Sequence, residues 1–180
     1  DNALLFAAIA MLKELSSPEW HIPVLQQFFV VSYILLAPFV GAFADAIPKG
    51  RVMFISNSIK FVGCLAMLFG LHPLYAYGIV GLGAAAYSPA KYGILTEYLP
   101  HERLVWANSW MEGLTVAAII FGAVVGGMLI TPSFAHSIMD SLHVPSFVTP
   151  AEMAIFITFF IYLLAAMINL YIPPVPVEHK

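Results

Sequence analysis

Long apolar stretches separated by short polar breaks run through this chain, and that pattern leaves the backbone few options. Hydrocarbon offers no water to satisfy an N–H or a C=O, so a spanning segment must be a helix or part of a closed barrel. Stretches of about 20 apolar residues have the length of a membrane helix, roughly twice what a membrane strand needs. They predict roughly six helices, near 1–15, 24–46, 52–71, 74–98, 104–130 and 151–171. The breaks carry turn chemistry, as in Ser16-Ser-Pro-Glu-Trp-His-Ile-Pro23, Ile47-Pro-Lys-Gly-Arg51, His72-Pro73 and Leu99-Pro-His-Glu-Arg103. Connections this short favour antiparallel neighbours packed in one bundle. The longest break, Thr131 to Pro150, is rich in Ser, His and Pro and reads as a loop.

Composition excludes the soluble alternatives. Only 9% of residues are charged and 61% are hydrophobic, with a mean hydropathy of +0.91. A soluble chain carries about 25% charged residues, and this one lacks the polar surface to cover a core in water. With so few charges the net of -3 says little, and nucleic acid is not expected as a partner. The single Cys64 and the absence of Cys/His pairs at ligand spacing point to no disulfide framework, metal or cofactor, and Cys64 reads as a small core residue. The opening Asp1-Asn-Ala-Leu-Leu-Phe has no Met and no signal-peptide pattern, so the first helix reads as truncated, entered midway. The closing Pro173-Pro-Val-Pro-Val-Glu-His-Lys180 reads as the start of a linker.

With alternating topology Lys49, Arg51, Arg103 and Lys180 fall on one side, and only Lys13 lies near the other boundary. The positive-inside rule places the loops near 47–51 and 99–103, and the C-terminal tail, in the cytoplasm. Trp20 and Trp106 sit where interfacial anchors belong. His21, His72, His101, His136, His143 and His179 all fall in breaks or the tail, which leaves no proton relay within a span.

Charges within the spans are the functional signal, because Asp, Glu or Lys at membrane depth costs about 2.5–3.5 kcal/mol and faces a partner, a ligand or a wet cavity. Lys91 lies in Gly83-Ala-Ala-Ala-Tyr-Ser-Pro-Ala-Lys-Tyr-Gly-Ile-Leu95. Helical spacing puts Tyr87, Ser88 and Lys91 on one side, and Pro89 is expected to loosen the helix beside them. Asn108, Glu112 and Thr115 form a second polar stripe in the fifth span. Asp1 and Asn2 add an acid and an amide in the first, and Gln26, Gln27 and Tyr33 are weaker candidates in the second. Two roles stay open for Lys91: a structural ion pair with Glu112 or Asp1, or a contact for an anionic substrate. Lys60, in the third span, reads as structural, its stem approaching Ser56 and Asn57 one turn earlier. Gly113, Gly122, Gly126 and Gly127 would let the fifth helix approach its neighbours closely.

The segment Gly41-Ala-Phe-Ala-Asp45-Ala-Ile-Pro-Lys49-Gly50-Arg51 resembles the loop motif of the major facilitator superfamily, with its basic cluster displaced from the common spacing. The resemblance implies a charge cluster that latches the cytoplasmic face, with Glu97 as the partner of Arg51. It also implies that the first, second, fourth and fifth helices border a central cavity holding Asp1, Asn2, Tyr87, Ser88, Lys91, Asn108 and Glu112. The fold expected is therefore an all-α membrane protein, the six-helix N-terminal bundle of a major facilitator transporter over residues 1–172, with 173–180 leading into the other half.

Asp1-Asn-Ala-Leu-Leu-Phe, Ala37-Pro-Phe-Val-Gly-Ala-Phe-Ala-Asp45, Lys49-Gly-Arg-Val-Met53, Tyr87-Ser-Pro-Ala-Lys-Tyr-Gly93 and Ala107-Asn108 with Met111-Glu112 are together similar to the bacterial lysophospholipid transporter family. That similarity implies an inner-membrane carrier that brings lysophosphatidylethanolamine, and lysophosphatidylglycerol, to the inner leaflet for reacylation. Its implied partners are a C-terminal six-helix half, membrane lipids, and an acyltransferase/acyl-carrier-protein synthetase, separate or fused. In such a carrier Lys91 would attract the phosphate, Tyr87 and Ser88 would donate to it, and Asp1 or Glu112 would meet the ammonium. Leu4, Leu5, Ile94 and Met111 would line the acyl slot. The rivals are another major facilitator carrier, for drugs or small anions, and a membrane enzyme. The enzyme reading lacks a base near Ser88 and any His-acid constellation around His101-Glu102 or His136.

Overall fold

A computed structural model describes residues 1–173 as seven α-helices: α1 Asn2–Glu14, α2 His21–Ala46, α3 Lys49–Leu68, α4 Pro73–Tyr98, α5 His101–Ile130, α6 Pro132–Ser141 and α7 Pro150–Asn169. Apart from Pro173, the expected linker at 173–180 lies outside the described residues. Four helices, α2, α3, α5 and α7, are long and apolar enough to cross a membrane. α4 equals α2 in length at 26 residues but spends its centre on glycine, alanine, Ser88 and Lys91.

The count of six helices is corrected by α6, which occupies the break expected to be a loop. Pro132 supplies a preorganised first position, and Ala135 and Met139, four apart, bury one face. Ten residues rise only about 15 Å, so α6 packs against the bundle rather than crossing a membrane. The other boundaries shift by a few residues at helix starts. α3 begins at Lys49, which moves Lys49, Gly50 and Arg51 out of the loop and into a first helical turn.

Caps explain two of the starts. Thr149 accepts from the Glu152 amide while the Glu152 carboxylate accepts from the Thr149 amide, and Pro150 follows at the first position. His72 Nδ1 accepts from the Leu74 amide ahead of Pro73. α2 and α4 run on as helix through Pro38 and Pro89, so the loosening expected at Pro89 does not end the helix.

α4 is the spine of the bundle, packed on α3 along one side and α2 along the other, while α3 also packs on α7 and α1 lies against α5 and α7. Small residues make this possible. A Cβ on Gly83 would stand 2.5 Å from the Ser56 carbonyl oxygen, and one on Gly63 would stand 2.5 Å from a Val80 methyl. The main core gathers Leu4, Leu12, Cys64, Met67, Val80 and Ile155, all essentially inaccessible, and a smaller one forms around Ala44, Val52, Met53 and Ala90. Leu4 is thus core and does not line an acyl slot. Long hydrophobic side chains remain exposed on α2 (Ile34, Leu35, Phe39) and α5 (Trp106, Trp110, Ile120, Phe121), as a lipid-facing or partner-facing surface requires.

The junctions α2–α3 and α4–α5 lie at the same end. Lys49 reaches Glu97 there, and a Cβ on Gly50 would meet Ile172 and the Asn169 carbonyl at the end of α7.

Candidate functional site

Three polar groupings occupy the bundle, two along its length and one at the end bearing Lys49. The most buried centres on Lys60, whose residue is 6% exposed. Its Nζ stands 2.9 and 3.1 Å from the two Asp1 carboxylate oxygens. Tyr162 Oη donates to Asp1 Oδ1 at 2.6 Å. The ammonium also lies 5.1 Å from the Tyr87 ring centroid and 5.4 Å from that of Tyr162, within cation–π range. α1, α3, α4 and α7 each contribute to this cage, which assigns Asp1 to Lys60 rather than to Lys91. Lys60 does not turn to Ser56 and Asn57 as expected, and Ser56 Oγ is left buried without a hydrogen-bond partner. The reason is the packing of α3 on both α4 and α7, which aims Lys60 into the bundle.

One turn further along α4 lies the second grouping. Lys91 Nζ donates to Thr115 Oγ1 at 2.6 Å, and that hydroxyl donates to the Met111 carbonyl at 2.6 Å. The ammonium stands 4.8 Å from the Tyr92 ring centroid. Tyr92 Oη donates to Glu112, so the tyrosine stands between cation and acid. Lys91 makes no ion pair among the described residues, where the only salt bridges join Lys49 to Asp45, Lys49 to Glu97 and Lys60 to Asp1. The pairing of Lys91 with Glu112 or Asp1 is therefore corrected to a hydroxyl and an aromatic face.

The expected face of Tyr87, Ser88 and Lys91 divides between neighbours. Tyr87 lies beside Lys60, Ser88 Oγ is 3.5 Å from Tyr33 Oη on α2, and Lys91 meets α5. Asn2 Nδ2 donates to the Ile119 carbonyl at 3.3 Å and ties α1 to α5. Asn108 and Glu112 are exposed on α5. Sequence reasoning singled out neither Tyr92 nor Tyr162. The signal available for Tyr162 was a phenol at the middle of the mostly apolar last span.

At the end of the bundle Lys49, 8% exposed, donates to Asp45 Oδ1 and to the Ala44 carbonyl, both at 2.7 Å, and stands 3.5 Å from Glu97. Its stem crosses Gly93, where a Cβ would meet Lys49 Cε at 2.9 Å. Glu97 pairs with Lys49 rather than with Arg51 as expected, and Arg51 is exposed. Gly41 faces open space, with nothing among the described residues within 4 Å of where a Cβ would stand. Along α5, Gly122 and Gly126 meet α1, whereas Gly113 and Gly127 meet nothing within 4 Å. Among the described residues, no three His, Cys, Asp or Glu side chains converge as metal ligands would.

Comparison with known proteins assigns the chain to a family. The chain is 46% identical over 179 residues to "Lysophospholipid transporter LplT" of Serratia proteamaculans, covering 99% of this chain and 41% of that protein. Proteins of the same name from Yersinia enterocolitica and Cronobacter sakazakii are 56% and 57% identical over 129 residues, 72% of this chain and 32% of theirs. The chain thus spans less than half the length of these curated relatives. Residues 1–180 match the Major Facilitator Superfamily throughout, and with its apolar helices this multi-pass membrane chain belongs to that superfamily.

Proposed function

We propose that the chain is the N-terminal half of a lysophospholipid carrier that works by alternating access. Residues 1–172 form its bundle, in which α6 is a short lateral segment, and a C-terminal half of six helices completes the cavity. The observation that carries this reading is Lys91, an ammonium within an apolar bundle, held by a hydroxyl and a tyrosine ring and free of any carboxylate among the described residues. A cation so placed needs an anion, and a lysophospholipid brings a phosphate to it. The relatives' name supports the same substrate class.

In this reading Lys91 binds the phosphate, Tyr87 and Ser88 lie within a turn of it, and Asn2, Asn108, Glu112 and Asp1 border the cavity. Gly41, Asp45, Lys49, Gly50, Arg51 and Glu97 form the gating end, with Lys49 rather than Arg51 at its centre. The carrier sits in the bacterial inner membrane with the Lys49 end and the tail cytoplasmic, and delivers lysophosphatidylethanolamine and lysophosphatidylglycerol to an acyltransferase/acyl-carrier-protein synthetase, separate or fused. It performs no covalent step itself.

The test is lysophospholipid uptake by the full-length transporter carrying Lys91→Ala. Loss of a charge-assisted contact worth about 1.5–3 kcal/mol predicts a fall of roughly ten- to a hundred-fold with insertion unchanged. Wild-type uptake by the variant would remove Lys91 from the mechanism. Competition by drugs or small anions, with none by lysolipids, would instead favour another major facilitator substrate.

A further inference from the structure

The cage around Lys60 contains more than a buried ion pair needs. A carboxylate and two tyrosine rings surround one ammonium, and this is the chemistry that recognises organic ammonium ions in general. Its occupant arrives on a side chain from α3, which closes on the Asp1 carboxylate at 2.9 and 3.1 Å. Tyr87, which walls the cage, precedes Lys91 by four residues, about 6 Å along α4. The residue that walls the cage and the cation assigned to the phosphate thus lie one turn apart on the same helix.

We propose that Lys60 sets headgroup selectivity by occupying this ammonium site and neutralising Asp1. The inference rests on the lysophospholipid reading of Lys91 given above. With Lys60 in place the Asp1 carboxylate neither strongly attracts an ethanolamine ammonium nor strongly repels a headgroup that has none, so zwitterionic and anionic lysolipids are both accepted. Without Lys60 the bare carboxylate rewards the ammonium of lysophosphatidylethanolamine and repels the net negative lysophosphatidylglycerol. Without the carboxylate, Lys60 is left as a second cation and the preference reverses.

The experiment measures uptake of both lysolipids, mixed in the same vesicles, by the full-length transporter, so that the ratio is independent of protein yield. Lys60→Met is expected to lower the glycerol-to-ethanolamine ratio by on the order of ten-fold, and Asp1→Asn to raise it. The double variant Lys60→Met/Asp1→Asn returns the ratio toward wild type, because both effects act through one pair of charges. Lys60→Arg, which keeps the charge, is expected to keep the wild-type ratio. A merely structural ion pair would lower both uptakes together in each single variant. An unchanged ratio in Lys60→Met, or in Asp1→Asn should Lys60→Met not fold, overturns the proposal. Absence of lysolipid uptake by the wild-type protein would instead overturn the substrate reading on which it rests.

Discussion

Lys49 shows how a two-residue step decides which basic side chain does the work at the end of the bundle. At the first position of α3 its charge opposes that helix's own dipole, but its ammonium donates to the Ala44 carbonyl at the C-terminal turn of α2, where a cation is favoured. Asp45 and Glu97 complete its shell. Arg51 follows two positions later, about 200° around the helix, and points to the exposed side. Lys49→Ala should therefore cost about 1–3 kcal/mol, by loss of bonds from a charged donor that is itself buried, and Arg51→Ala within about 0.5 kcal/mol. Thermal unfolding of the two variants in detergent checks this, and equal shifts would count against the assignment. The motif was legible in the sequence as a set of residues, Asp45, Lys49, Arg51 and Glu97. The choice of Lys49 over Arg51 was not, because it depends on α3 starting at Lys49 rather than a turn later.

Helix α5 carries its information in adjacent glycines that do opposite things. A Cβ on Gly126 would stand 2.7 Å from Ala3 Cα, backbone that cannot swing aside, whereas one on Gly127 meets nothing within 4 Å. Gly126→Val is thus expected to push α1 off α5 at a cost of about 1–3 kcal/mol, while Gly127→Val leaves the packing among the described residues unstrained. Monodispersity and melting temperature of the two purified full-length variants distinguish them, and a Gly127→Val protein as damaged as Gly126→Val would show that another surface packs on that face. The sequence identified four glycines as a packing stripe; which of them touch α1 follows from the crossing of two helices, and no local pattern encodes that. The same limit hid α6. Its apolar residues Phe134, Ala135, Ile138 and Met139 have helical spacing, but they are few and lie among Ser, His and Pro, so hydropathy alone reads as a loop.

Across the whole molecule the spans themselves were the most legible feature, since hydrocarbon permits few alternatives to helix, and the charges at depth were legible as a set. Their pairing was not: Asp1 and Lys60 are 59 residues apart and meet only because α1 and α3 both pack on α7. The same packing fixes which loops share an end. Gly50 touches the C-terminal end of α7, so the α6–α7 loop that precedes α7 must lie at the opposite end from Lys49, Arg51 and Arg103. Lys and Arg are retained on the cytoplasmic side, so the α6–α7 loop is expected outside. Single cysteines at Glu102 and Phe147 read this directly, both positions being exposed and Phe147 82% so. Cys64 is fully buried and would be replaced by Ala to keep the background silent. In intact cells a membrane-impermeant maleimide should label Phe147→Cys and spare Glu102→Cys, which becomes reactive only after the membrane is opened. Labelling in the reverse order would invert the bundle and place the Lys49 ion pairs on the outer face, where the basic residues have no electrostatic reason to be.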